Sequence, residues 1–431
     1  MTSHRAAGLT IAVATNGGLS SRIAIARPYI LALADQGVLS LVNFVVALTL
    51  LRLLDAPAFG VFTLLTAVAN AAVAVQEALT ATPLSVRLVT ATSHSRRRWL
   101  VAVLANATCL YALAGGGVVG AAAAVLSGSP ALGVAAGLFV TAYCLRSFLR
   151  AVGYARQREM AALLVDVPSG LLSLLVLPVL HMAGALRLDT VLLGLAAANA
   201  IPAVAVALSG LVPLALPSWA GAVRFGQFWH EVRWTLLGVG STLCQQQAHA
   251  VIVPVLTSAA AFGMLATADA LMGPVRLAVV ALGMVMRPEL TRLLAAGDTR
   301  AAARLILGMA AGLTALMAGA FIALMLTWDV VLEVVLAGRY PGIGGPLALA
   351  GAVTLVVGWR CLVSYAIQAR RRFRELAWST VVCGPASLAA TAVATLVAGP
   401  QWALAGVLLG ELGNLGVLLF LLRRTLHEET P

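Results

Sequence analysis

Apolar runs of about 20 residues, the length that a bilayer's hydrocarbon core demands, recur along this chain from residue 29 to residue 422. Inside lipid every backbone polar group must be satisfied by the protein itself, and a helix does this within one segment. The runs predict about twelve spanning helices, at 29–54, 58–82, 99–126, 131–152, 161–182, 190–216, 234–257, 261–286, 303–327, 346–368, 377–398 and 402–422. Charge agrees, because 10% of residues are charged against roughly 25% in soluble domains. The expected class is an all-α polytopic membrane protein. Near the start, the apolar stretch Leu9 to Ala14 is too short for a cleaved signal peptide.

All 28 basic residues are arginine. Arg5, Arg22 and Arg27, "SHSRRR", "RAVGYARQR", "MRPELTRLLAAGDTRAAAR", "ARRRFR" and "LLRR" fall on alternate connections, whereas the opposite connections hold only Arg52, Arg187 and Arg339. The positive-inside rule then puts both termini in the cytoplasm. A net charge of +12 suits anionic inner-leaflet lipids. No arginine cluster has an aromatic stacking platform beside it, so nucleic acid is not an expected partner. Five cysteines lie scattered within predicted spans, without metal or redox spacing, and read as structural thiols.

The second half of the chain resembles the first. "DAPAFGVFTLLTAV" matches "TSAAAFGMLATADAL" 203 positions later, Phe59-Gly60 falling on Phe262-Gly263. "YCLRSFLRAVGYARQRE" aligns with "GWRCLVSYAIQARRRF" at a spacing of 214, which sets Arg146 on Arg360. An even number of helices per half gives parallel repeats, an arrangement that places substrate between the halves. The expected organisation is a cytoplasmic segment 1–28, six helices over 29–216, an amphipathic cytoplasmic linker 217–233, six helices over 234–422 and a tail 423–431.

Charges within spans are costly and mark cavities or pairs. Asp35 and Asp166 lie near predicted helix ends and read as capped or solvated at the interface. Arg146 and Arg360, matched by the repeat, are cavity candidates, and Arg276 lies nearest a midplane. Asp269 and Arg276 are seven residues apart and differ by only ~20° around a helix, sharing a face with Gly273. Pro274 should kink that helix and leave the Ala270 carbonyl open. Asp269 either restrains Arg276 or senses a proton. Asn70 and Glu77 show the same spacing in the second span, and "CQQQAH" (Cys244 to His249) supplies amides, Gln246 among them, that could bond between helices or wet a lumen. Glu411 and Asn414 could belong to an ion site.

Several stretches resemble the Wzx-like polysaccharide flippases of the multidrug/oligosaccharidyl-lipid/polysaccharide (MOP) exporter superfamily. They are "NFVVALTLLRLLDAPAFGVFTLL", "GMLATADALMGPVRLAVVALGMVMRPELTRL", "VVLEVVLAGRYPG" and "GPQWALAGVLLGELGNLGVLLFLLRR". The resemblance implies a MATE-like V of two six-helix lobes around a central cavity. It also implies a bacterial inner-membrane location and a polyprenyl-pyrophosphate-linked oligosaccharide as cargo, destined for O-antigen or exopolysaccharide, with polymerase and export machinery as partners. By that resemblance Arg276 stands where relatives carry a cavity arginine, although the first span has none at its middle. The residues expected to meet substrate are Arg276, Arg360, Arg146, Asn70 and Gln246; coupling or ion-pair candidates are Asp269, Glu77 and Glu411. No cofactor or metal is expected, and a proton, a sodium ion or the membrane potential would bias the cycle. A cation-coupled multidrug antiporter and a membrane-embedded polymerase or ligase are the alternatives; with no nucleophile–base constellation in evidence, an enzyme is not expected.

Overall fold

The computed structural model describes residues 19–91, 93–156, 158–209, 219–340, 342–370 and 372–428. Arg5, the end of the sixth predicted span and the start of the linker (210–218), and the last three residues of the tail fall outside them. Among the described residues all regular structure is helical: α1 (Leu19–Leu53), α2 (Ala56–Gln76), α3 (Thr82–Thr90), α4 (His94–Ser127), α5 (Pro130–Ala155), α6 (Glu159–Met182), α7 (Leu188–Leu208), α8 (Trp219–Phe225), α9 (Trp229–Gln246), α10 (Ala248–Leu256), α11 (Ala259–Leu271), α12 (Gly273–Ala295), α13 (Thr299–Leu326), α14 (Trp328–Val330), α15 (Gly344–Ala369), α16 (Phe373–Ala398) and α17 (Ala403–Glu428). Ten helices are long and apolar enough to cross a membrane, and the bent pair α11–α12 makes an eleventh. The seventh predicted span, 234–257, is divided between α9 and α10 at Gln247, and its three consecutive glutamines dilute its apolar character. The first begins at Leu19, ten residues before the expected 29.

Local chemistry sets the helix ends. Asp55 accepts the Ala58 N–H at 3.1 Å ahead of Pro57, and Ser258 accepts the Ala261 N–H at 3.2 Å. These two N-caps are themselves 203 positions apart, so the repeat reproduces the start of α2 in α11. The second span is interrupted by a π-helical turn, Glu77–Ala81, just before Pro83. Proline has no N–H to return to the preceding turn, and the widened turn absorbs that loss.

Helices 1 to 7 pack among themselves, as do α9 to α17, and the halves meet chiefly where α2 crosses α11. The repeat's own glycines make that crossing close: a Cβ on Gly60 would lie 2.0 Å from the Ala259 carbonyl oxygen, and one on Gly263 3.2 Å from Gly60 Cα. The largest apolar cluster runs through this point, with Phe59, Phe62 and Leu65 against Phe262 and Leu265. Elsewhere Gly116 and Gly120 of α4 lie against Gly137 and Gly133 of α5, small-residue packing of the membrane kind. Outward-facing Leu126, Met182, Leu208 and Val397 are more than four-fifths exposed, a surface suited to lipid and not to water. The linker's α8 packs on α4, and Phe228 after it is buried between Trp99 and Arg87, so its described part is docked on the first half.

Candidate functional site

Between the halves lies a cavity of about 460 Å³, lined from α1, α2, α5, α6, α7, α10, α11 and α12. A break in two helices opens room for it. α11 and α12 meet at Met272 with a 51° bend. Gly273 and Pro274 start the new segment, and Arg276 N–H returns to Met272 O at 3.1 Å. The expected kink is therefore present, but the freed acceptors differ from expectation. Met272 N–H takes the Ala270 carbonyl, while the Arg276 guanidinium folds back across the bend to donate to the Asp269 carbonyl. Irregular backbone at this depth is tolerated where it lines a cavity.

Arg276 Nη1 also stands 3.7 Å from Asp269 Oδ1, with the Arg276 side chain 48% exposed. Asp269 Oδ2 lies 3.1 Å from His249 Nε2. The second break, at Gln247, lies two residues before that histidine, which lines the cavity near the start of α10 with its ring beside Phe262. Facing these groups are Asn70 and Tyr143, joined at 3.1 Å through Tyr143 O–H to Asn70 Oδ1, and Arg146. Amides from Gln36, Asn43, Asn199 and Gln247 and hydroxyls from Ser40, Thr63, Thr66 and Ser173 complete the polar lining.

Four sequence-predicted residues thus come together: Arg276, Asp269, Asn70 and Arg146. The other four do not line this cavity. Gln246 is displaced by its neighbour Gln247, because the break changes which glutamine faces inward. Arg360 is buried in the second half, its Nε 2.7 Å from Glu411 Oε2. That pairing also removes Glu411 as a free ion ligand, and Asn414 instead donates to Gln245 Oε1 at 3.0 Å. Among the described residues no group of three or more His, Cys, Asp or Glu could hold a metal. Glu77 is exposed on the π turn and accepts from Ser147 Oγ at 3.3 Å.

Asp35 and Asp166 correct a sequence reading. Neither is solvated at an interface; both are buried. Arg150 Nε lies 3.3 Å from Asp35 Oδ2 and 3.0 Å from Asp166 Oδ2, Arg146 Nε is 3.6 Å from Asp166 Oδ1, and Tyr154 O–H donates to Asp35 at 2.6 Å. Arg150 follows Arg146 by one helical turn, so both arginines project from one face of α5. That spacing was the available signal. Arg146 therefore has a double role in space, touching the cavity while its charge is offset behind the wall.

At the arginine-poor end the two halves are tied together. Arg339, before α15, donates through Nη2 to the Arg52 carbonyl at 2.9 Å and through Nη1 to the Leu54 carbonyl. Arg52 Nε reaches back to the Val335 carbonyl at 3.5 Å.

The sequence matches no protein-family model and no curated protein. The fold has solved counterparts. An inward-facing multidrug resistance MATE transporter of the MOP superfamily superposes with a TM-score of 0.66 at 11% identity, over 91% of this chain and 96% of the other. The lipid II flippase MurJ, in an inward closed conformation, gives 0.64 at 10% identity over 92% and 87%. An outward-facing MATE transporter of the same superfamily gives 0.56 at 13% identity over 95% and 97%. The chain has the two-lobed helical fold that these MOP-superfamily members share.

Proposed function

We propose that this protein is a flippase that carries a polyprenyl-pyrophosphate-linked oligosaccharide across a bacterial inner membrane, for O-antigen or exopolysaccharide assembly. The observation that carries the reading is the composition of the cavity wall: a half-exposed arginine facing five side-chain amides. A guanidinium offers an always-charged, forked donor that matches phosphate oxygens. Amides both donate and accept, as sugar hydroxyls do. The prenyl tail would stay in lipid while the head group occupies the cavity. The two halves, 29–216 and 234–422, would rock about the α2–α11 crossing. The arginine-rich end with both termini would face the cytoplasm, and a proton, a sodium ion or the membrane potential would bias the cycle. Polymerase and export machinery would receive the delivered unit.

The description of one structural neighbour as a lipid II flippase is in line with such cargo. A multidrug antiporter is favoured by the MATE neighbours' descriptions. A cationic drug, however, would need a free cavity carboxylate, and Asp269 is already shared by His249 and Arg276. In a host whose surface polymer depends on this protein, Arg276→Ala should cut polymer output on the order of 10-fold or more, the effect of losing one charge-assisted contact, while membrane insertion is unchanged. Normal polymer output, or drug resistance conferred by the wild type on an exporter-deficient host, overturns the reading.

A further inference from the structure

We propose that His249 and Asp269 form a proton-binding dyad tied to Arg276, so that the cavity takes up a proton when an anion takes Arg276. The inference rests on the cavity being an anion site, as proposed above, and adds the coupling group to it.

Asp269 has two partners that compete for one carboxylate. Oδ2 faces His249 Nε2 at 3.1 Å, and Oδ1 faces Arg276 Nη1 at 3.7 Å. His249 is buried and its Nδ1 has no hydrogen-bond partner among the described residues. A protonated Nδ1 would be an unsatisfied buried donor, so we place the ring's one N–H on Nε2, directed at Asp269. The carboxylate's charge is then balanced by Arg276 alone.

Around His249 the packed helices supply no replacement cation. α10 packs against α9, α11, α16 and α17. On α11 the sole ionisable side chain is Asp269 itself. Within the spans, α9 contributes Cys244, α16 contributes Cys383 and α17 contributes Glu411, which is held by Arg360. The remaining charges of those helices sit at their arginine-rich ends. Across the cavity, from α5, come Tyr143 and Arg146, and the Arg146 charge is directed at Asp166.

When an anion draws the guanidinium away, Asp269 keeps only a neutral imidazole. A carboxylate only 22% exposed and without a counter-charge recovers balance by taking a proton onto the dyad, the two sites titrating as one unit. Anion binding thus raises the dyad's proton affinity, and by linkage a proton raises anion affinity to the same degree. Asp269 both restrains Arg276 and senses the proton; these are one function.

The test uses the purified full-length protein and geranyl pyrophosphate as probe, with binding enthalpy measured at one pH in buffers of different ionisation enthalpy. The slope gives protons taken up per ligand, and proton exchange by the probe's own phosphate is common to all variants. Wild type should take up roughly one proton more than Asp269→Asn. The variant, in which Arg276 is no longer neutralised, should bind on the order of 10-fold more tightly. His249→Gln should reduce the uptake. Equal proton uptake in wild type and Asp269→Asn, or weaker binding by the correctly folded Asp269→Asn, overturns the dyad alone. Wild-type binding that is absent, or that survives Arg276→Ala unchanged, overturns the anion site and the dyad with it.

Discussion

At the residue scale, Arg146 and Arg360 occupy matched positions of the repeat and meet different environments. Arg146 borders the cavity, with its guanidinium also 5.0 Å from the Tyr143 ring centre. Arg360 is enclosed with Glu411. A buried pair gives little net stability over apolar residues of like volume, yet removal of one partner strands the other charge. Glu411→Gln should therefore lower stability by about 3–5 kcal/mol, whereas Arg360→Met with Glu411→Met should come close to wild type. Thermal unfolding followed by tryptophan fluorescence distinguishes them, and a double variant as unstable as the single would contradict this account. The same pair shows what a sequence conceals. Hydropathy and spacing identified Arg276, Asp269, Asn70 and Arg146, which do share the cavity. Pairing between distant spans, as from Arg360 to Glu411, depends on helix rotation, and rotation follows from packing that a single sequence does not display. The placing of Gln247 on the cavity in place of Gln246 has a related cause: consecutive glutamines point 100° apart on a helix, and the break at Gln247 sets which of them faces inward.

At the element scale, periodicity and turn chemistry carried far more information. Among the described residues the predicted spans fall on helix, apart from the breaks at Gln247 and Met272 and single residues at span ends, and the Gly-Pro bend appears where Pro274 demanded it. What the sequence did not announce was the second break, since Gln247 is neither glycine nor proline and the chain simply departs from helical geometry there, at φ −105° and ψ 16°. The α2–α11 crossing gives a quantitative prediction. A methyl on Gly60 would strike backbone atoms of Ala259, which cannot rotate away, whereas one on Gly263 meets nothing closer than 3.2 Å. Gly60→Ala should cost about 1–3 kcal/mol in the closed arrangement, the range for overpacking, and Gly263→Ala measurably less. Disulfide trapping between cysteines placed at Phe59 and Phe262 reads this out, because the wider separation in Gly60→Ala should slow cross-linking. Equal rates in the two glycine variants would remove the crossing's asymmetry.

At the scale of the whole molecule, the repeat is most unequal in one connection, which lies at the arginine-poor end. Matched positions are 203 apart in α2 and α11 but 214 apart in α5 and α15, a difference of 214 − 203 = 11 residues. The two-residue link between α4 and α5, Gly128 and Ser129, corresponds to the much longer stretch 327–343 between α13 and α15. Arg339 lies in that stretch. It caps carbonyls at the C-terminal end of α1, which are orphaned by helix geometry and carry the negative end of its dipole. Two of the three arginines that break the chain's charge asymmetry, Arg52 and Arg339, thereby form a latch between the halves. If the latch holds the closed state, Arg339→Ala should raise the labelling of a cavity cysteine at Thr66 by an impermeant maleimide applied from the arginine-poor side, on the order of 10-fold for a 1–2 kcal/mol shift. Arg52→Ala, which loses one long contact of 3.5 Å, should do so weakly. Labelling that is unchanged by Arg339→Ala would mean that the α2–α11 crossing alone seals this end, with the inserted stretch a bystander to the conformational cycle.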